Sequence, residues 1–223
     1  ILSPRSKKKA ILLKKKYKKI YIAKNNQDVI NKSDWVFLGV LPNVGEKILP
    51  KLTFKKNQTI ISFISTIKYL SLKKILKNDN IFRAIPMPPI SIGKGPIAIF
   101  PPNKKLKNFF SKIGSVVEIK SEKLSKNFWA ISGTMAAFYK LLSTASSWLI
   151  RKGVKRKEAQ EYVILLYTAL AKMAMEDKKL DLRKLVVNSQ TPGGLNMQVV
   201  NELSKSKYFK EFENSLNSIY KRL

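Results

Sequence analysis

The residues best placed to do chemistry lie near the C-terminus, where a proline and two glycines break a helix-forming region in "TPGG", Thr191 to Gly194. Gly193 and Gly194 admit backbone conformations closed to other residues, so main-chain N–H groups there can crowd towards one point. A helix starting at Leu195 or Asn196 would add the positive end of its dipole. Thr191 and Asn196 flank the turn with side chains able to hydrogen-bond an oxyanion. Two readings stand on these residues alone: the chain turns between helices, or the turn cradles an anion.

What is absent narrows the chemistry further. The chain has no cysteine, which excludes disulfides, thiolate catalysis and cysteine-ligated zinc. It has no histidine, which removes the commonest general base and metal ligand and every histidine-based triad. No metal site is expected, and no catalytic side chain can be named.

Charge raises a different possibility. A formal net charge of +30 is the electrostatic footprint of a nucleic-acid binder. Against that reading, Arg5, Arg83, Arg151, Arg156, Arg183 and Arg222 are the only arginines, and bidentate recognition of phosphates and bases favours arginine. The lysines are spread along the whole chain, so nucleic acid is not the expected partner. With 44% hydrophobic residues the chain can bury a core, as one large domain or two small ones. No secretory signal is visible, because Ile1 to Ser6 leads straight into a lysine-rich helical pattern. The most membrane-like stretch, residues 128 to 150, is interrupted by Lys140 and rich in Ser and Thr. A soluble cytoplasmic protein without a membrane segment is expected.

The elements that must position the turn divide the chain in two. In the first half, "YIA" (21 to 23), "WVFLGVL" (35 to 41), "TIISFIS" (59 to 65), "IFRAIPM" (81 to 87), "IAIF" (97 to 100) and "VVEIK" (116 to 120) read as strands. Helical patterns such as "SKKKAILLKKKY" and "VGEKILPKL" lie between them, with Ser6 and Asn103 as expected N-caps. The almost wholly apolar "WVFLGVL" suits a strand covered on both faces, so a mainly parallel α/β sheet is expected. From about Leu124 no strand is evident, only long helices broken at "RKGVKRKE", "EDKKLDL" and "TPGG". The division is a dinucleotide-binding α/β domain over 1–122 and an all-helical domain over 123–223. One helix is expected from about 125 to 152. Trp129, Met135, Phe138, Leu142 and Trp148 surround it, so it must be buried on more than one side, with a second copy of the chain as the covering surface. No G-x-G-x-x-G turn occurs, and one βα unit of ~30 residues is inferred to be missing at the start.

Four segments, in one colinear order, resemble pyrroline-5-carboxylate reductases. "SDWVFLGVLP" (33 to 42) resembles the family's apolar strand and its Lys-Pro turn. "RAIPMPPISIGKGP" (83 to 96) resembles its R-x-M-P-N-T-P segment. "ISGTMAAFYKLL" (131 to 142) is similar to its S-G-S-G-P-A-Y helix start, and "TPGGLN" (191 to 196) resembles its S-P-G-G-T/A-T turn. The resemblance implies a Rossmann-like domain followed by a helical dimerisation domain. It also implies hydride transfer from NADPH or NADH to a cyclic imine carboxylate, giving proline. Homodimers, and larger rings built from them, are implied too. Such chemistry needs mainly positioning, because a protonated imine carbon is already electrophilic.

The resemblance places the substrate carboxylate at Thr191, Gly193, Gly194, Leu195 and Asn196, with Asn196 where a threonine is usual. It places the cofactor along Val40, Leu41 and Pro42, Ser65 and Thr66, and Pro86 and Met87. Leu41 stands in place of lysine, Thr66 of glycine and Met87 of asparagine. Ser3, Arg5 and Ser6 would end the second strand of such a fold, where an acidic residue binds ribose hydroxyls in NAD-preferring proteins. Their hydroxyls and positive charge suit a 2′-phosphate, hence NADPH, with NADH as the alternative. Two other readings remain: a homologue that binds without catalysis, and a β-hydroxyacid dehydrogenase-like enzyme using Lys140.

Overall fold

Strand and helix alternate as far as Ser132 in a computed structural model that describes residues 1–176 and 181–223. Two compact units form, one of Ile1–Ser132 with Leu223 and one of Gly133–Arg222.

In the first unit the apolar, β-branched runs become β1 (Trp35–Leu38), β2 (Thr59–Ser62), β3 (Ile81–Pro86), β4 (Pro96–Phe100) and β5 (Ser115–Glu118). They form one sheet in the order β1-β2-β3-β4-β5, parallel except for the β3–β4 pair. That exception follows from the connection, Met87 to Gly95, which is too short to hold a crossover helix. It closes instead through a short 3-10 turn, Pro88–Ile92, and through Gly95 at φ +93°, a conformation open to glycine.

Helices alternate with the strands: α1 (Lys7–Lys16), α2 (Asn26–Asn31), α3 (Pro42–Ile48), α4 (Tyr69–Leu76), α5 (Lys104–Phe110) and α6 (Glu122–Ser132), of which α4, α5 and α6 pack most closely on the sheet. One apolar layer gathers Val36, Leu38, Ile60 and Ile81 with Leu72 and Leu76 of α4. Another gathers Ile61, Phe82, Ile97 and Ile99 with Leu106 and Phe110 of α5. Strands β2, β3 and β4 are thus buried through most of their length.

Three expectations need correcting at this level. "WVFLGVL" is not covered on both faces. β1 is an edge strand, and Phe37 stays 41% exposed against the rings of Phe63 and Phe109. "YIA" makes one parallel bridge, Ile22 to Leu2, rather than a strand of the sheet. Ser6 makes no capping bond. Pro4 starts a 3-10 turn before α1, and Ser3 Oγ caps that turn by accepting the Arg5 N–H. Asn103 caps α5 as expected, accepting the Leu106 N–H at 3.0 Å.

The second unit is helical throughout its described residues: α7 (Met135–Arg151), α8 (Arg156–Glu176), α9 (Leu182–Asn188), α10 (Leu195–Lys205) and α11 (Tyr208–Arg222). The helix expected over 125 to 152 is two helices. α6 stops at Ser132, and α7 begins after Gly133 and Thr134, where a glycine weakens helix propagation by ~1 kcal/mol relative to alanine. Breaks occur at "RKGVKRKE" and "TPGG", while the break at "EDKKLDL" falls largely on residues 177–180, outside the described residues. Beyond it Asp181 caps α9 by accepting the Arg183 and Lys184 N–H groups. A further break at Lys207, φ +61°, separates α10 from α11. Among the described residues no helix is long and apolar enough to cross a membrane.

Candidate functional site

Because β1, β2 and β3 run parallel, their C-terminal ends open on one edge of the sheet, with Leu38 level with Ser62 and Ser62 level with Arg83. Ligands of open α/β sheets bind outside that edge. Val40, Leu41 and Pro42 follow β1 there, Ser65 and Thr66 follow β2, and Pro86 and Met87 end β3. The structure therefore brings these seven candidates to one edge.

Their local settings differ. Pro42 is the first residue of α3, where its missing N–H costs nothing, and the Leu41 carbonyl accepts the N–H groups of Val44 and Gly45. The Leu41 side chain projects outward, 64% exposed. Thr66 is exposed and Ser65 half-buried. Met87 packs against the small cluster of Ile85, Ala98 and Ile119 beside Phe100 and Trp129, so this side chain is partly committed to the core.

Ser3, Arg5 and Ser6 follow the Leu2–Ile22 bridge, all three exposed. Ser3 Oγ donates to Asn26 Oδ1 at 2.8 Å. Ser3 shares with Val36, Leu38 and Val40 the wall of a small apolar cavity of about 90 Å³, so the first turn and the end of β1 border one space. No acidic residue occurs before Asp28. Asp28 is itself engaged: its carboxylate accepts the Lys24 N–H and the Tyr21 hydroxyl and pairs with Lys32 at 2.9 Å. The Lys24 N–H first, then Lys32, holds its pKa below the usual carboxylate value. The group presented by this turn is therefore cationic and hydroxylic.

Sequence reasoning passed over the most elaborate polar group of this unit. Arg83, in the middle of β3, is buried. Its Nη1 pairs with Glu122 Oε1 at 3.1 Å and its Nη2 donates to the Ser65 carbonyl at 2.7 Å. Burial pulls the guanidinium below its ordinary pKa, and the Glu122 charge and hydrogen bond oppose that. Arg83 Nε and Trp129 Nε1 are buried donors without a partner. Both side chains, with Ser65, Lys68, Glu122, Lys123 and Lys126, line a cleft of about 280 Å³. An arginine inside the apolar run "IFRAIPM" was the available signal, since a charge in a buried strand requires a partner.

The "TPGG" turn lies in the second unit, between α9 and α10. Gly193 takes φ +70° with open space around it. The Gly194 N–H turns back to the Thr191 carbonyl at 2.8 Å, so it is not free for a ligand. The Asn196 side-chain amide donates to the Ser189 carbonyl at 2.8 Å, tying the turn to the end of α9. What remains is the Thr191 hydroxyl, the Gly193 N–H and the N–H groups of Leu195, Asn196 and Met197, which precede the first backbone bond of α10, Gln198 N–H to Gly194 O. Thr191, Leu195 and Asn196 are exposed. The turn thus presents a hydroxyl and helix-start amides of the kind that bind carboxylates.

Two other features lie apart from these residues. Lys140 is an exposed residue of α7. A cavity of about 380 Å³ between α7 and α8 is walled by Phe138, Tyr139, Leu142, Val163, Ile164 and Tyr167, with none of the candidate site residues. Among the described residues there is no cluster of three or more acidic residues able to hold a metal.

Comparison with known proteins adds three kinds of likeness. Residues 122–223 match the family model "Pyrroline-5-carboxylate reductase dimerisation", and residues 1–66 match "NADP oxidoreductase coenzyme F420-dependent". A pyrroline-5-carboxylate reductase of Synechocystis is 28% identical, over 94% of this chain and 81% of that protein. Two solved structures share the fold. A 1-pyrroline-5-carboxylate reductase from Streptococcus pyogenes superposes with a TM-score of 0.85 at 22% identity, over 98% of this chain and 84% of that one. A Plasmodium falciparum pyrroline carboxylate reductase with NADP bound gives 0.81 at 18% identity, over 91% and 80%.

Proposed function

The chain belongs to the pyrroline-5-carboxylate reductase family, and from that premise we propose that it reduces the C=N bond of a cyclic imine carboxylate to the secondary amine, giving proline or a related imino acid. The observation that carries this reading is the pairing, within one chain, of an NADP-oxidoreductase match at its start with the reductase dimerisation match over 122–223.

NADPH, when bound, supplies the hydride. The overall change is one hydride to the imine carbon and one proton to its nitrogen. Residues of the first unit fit that cofactor by their donor chemistry. Arg5 and the hydroxyls of Ser3 and Ser6, with no acid nearby in sequence, suit a 2′-phosphate better than a bare ribose diol. Val40, Leu41, Pro42, Ser65, Thr66, Pro86 and Met87 would seat the remainder along the sheet edge. Thr66 in place of glycine holds the backbone further from a ligand, and Met87 supplies no amide donor, so the nicotinamide end would rest on backbone and apolar contacts.

The substrate carboxylate would lie against Thr191 and the start of α10. Its charge is matched there by the helix dipole and by N–H groups with no partner in the helix. The chain's part in catalysis is then orientation, because a protonated imine carbon is already electrophilic. The active species is a homodimer built through the helical region.

Steady-state assays of full-length protein with NADPH and pyrroline-5-carboxylate test the reading, beside a panel of hydroxyacids with NADP. NADPH consumption that requires the imine is the expected result. Turnover of a hydroxyacid in place of any imine would reassign the substrate class. Tight NADPH binding with no turnover of any pyrroline would leave a binding homologue.

A further inference from the structure

Between the end of β2 and the start of α4 runs a six-residue connection, Phe63 to Lys68, that carries Ser65 and Thr66. Ile64 and Ile67 of this connection are buried in the core, while Thr66 and Lys68 are exposed. Here its two ends are tied to the same ion pair. Arg83 Nη2 donates to the Ser65 carbonyl at 2.7 Å and reaches the Ile64 carbonyl at 3.5 Å. Arg83 Nη1 donates to Glu122 Oε1 at 3.1 Å, and that oxygen also accepts the N–H of Tyr69, the first residue of α4. One prong of the guanidinium therefore holds the beginning of the connection. The other, through a single carboxylate oxygen, holds its end. The anchors come from elements distant in sequence, the middle of β3 and the first turn of α6.

We propose that Arg83 and Glu122 are positioning residues that clamp the Ser65–Thr66 turn in the shape needed to receive the cofactor. The purpose assigned to the clamp rests on the reductase reading, while the clamp itself rests on the hydrogen bonds alone. A purely structural role accounts poorly for the choice of residue. A buried ion pair is often no more stabilising than apolar side chains of similar volume. The Arg83 side chain, only 6% exposed, lies in an otherwise apolar strand and leaves its Nε without a partner. What an apolar residue could not supply is the planar fork, two parallel-directed donor groups that hold a carbonyl and a carboxylate at a fixed angle. The Trp129 ring, with its centroid 5.7 Å from the guanidinium carbon, lies over the fork on one side.

The test uses the full chain with R83K and E122Q, read by hydrogen exchange of the 63–69 segment and by NADPH KM and kcat. R83K keeps the charge but loses the fork. Amides of 63–69 should exchange about tenfold faster and the NADPH KM should rise about tenfold, the size of one charge-assisted hydrogen bond, while kcat at saturation stays within about threefold of wild type. E122Q keeps a carbonyl acceptor for Tyr69 N–H and Arg83, so it should retain most of the protection and lie between R83K and wild type. Unchanged exchange in 63–69 with folded R83K overturns the clamp. A fall in thermal stability with KM and kcat both as in wild type reduces the pair to a structural role. If R83K does not fold, E122A, which removes the shared acceptor, decides by the same two readouts, with wild-type exchange and KM overturning the proposal. Should wild type itself bind no NADPH, the reductase reading fails, and the exchange rates still settle whether the pair holds the turn.

Discussion

Thr191 and Asn196 look alike in sequence, two polar residues flanking one turn, but the fold uses them differently. The Asn196 amide is spent on the Ser189 carbonyl, whereas the Thr191 hydroxyl makes no hydrogen bond among the described residues. Thr191→Ala should therefore raise the KM for the imine carboxylate about fivefold, the worth of one hydrogen bond of ~1 kcal/mol, and leave thermal stability unchanged. Asn196→Ala removes a turn contact as well, so its melting temperature should fall by about 2–4 °C for each kcal/mol lost. A wild-type KM in the threonine variant would take that hydroxyl out of the site. Asp28 provides a separate test of residue-level electrostatics. Its folded pKa lies below the ordinary 3.8, through the Lys24 N–H first and Lys32 next. A depressed carboxylate pKa contributes stability that is present above 3.8 and lost as pH falls through the lower folded value. The melting-temperature gap between wild type and Asp28→Asn should thus be constant at neutral pH and shrink in acid below 3.8. A gap independent of pH would mean that the Asp28 carboxylate is not held in its ionised form by folding.

At the scale of elements, the "TPGG" turn separates backbone geometry from ligand chemistry. Gly193 sits at φ +70° with nothing near the position of an added Cβ, so Gly193→Ala meets backbone strain alone, about 1 kcal/mol. The cost in melting temperature should be about 2–4 °C, and circular dichroism at moderate temperature should match wild type. A rise in substrate KM beyond that seen for Thr191→Ala would locate the carboxylate on the main chain of the turn rather than on the threonine hydroxyl. This turn was legible in the sequence because glycine, proline and a polar flank mark chain reversals directly. The five sheet strands were legible for a related reason, since long apolar runs bounded by turn residues fit little else. What was not legible is instructive. "YIA" has strand-forming residues but makes a single bridge, because pairing depends on what lies beside it and not on propensity. The α6–α7 break at Gly133 was hidden inside one continuous apolar pattern, which periodicity reads straight through. The Arg83–Glu122 pair joins residues 39 apart, and a single sequence records neither partner's identity for the other.

For the whole molecule, the second unit poses the sharpest energetic question. Its five helices bury few side chains completely among the described residues: Ser146, Ala159 and Val163. Tyr162 and Leu165 of α8 remain 63% exposed and Met173 66%, so the apolar groups that should form a core face outward. Each large apolar side chain taken out of water is worth about 1.5–3 kcal/mol, and a helical array that forgoes most of that gain is not stable alone. The proposed homodimer would supply the cover, a second copy of the same surface. Leu165→Arg should then convert a dimer into a monomer by light scattering and lower its melting temperature together with the loss of mass, because folding and association share one apolar surface. Charge sets the conditions of the measurement. Each chain carries +30, so two copies repel at low ionic strength, and added salt should tighten the wild-type dimer as screening shortens the reach of that repulsion. A protein held together by lysine contacts to an anionic partner would respond in the opposite sense, dissociating as salt is added. A wild-type monomer at high salt, with a cooperative melt, would mean that the exposed faces of α8 are covered by something other than a second chain.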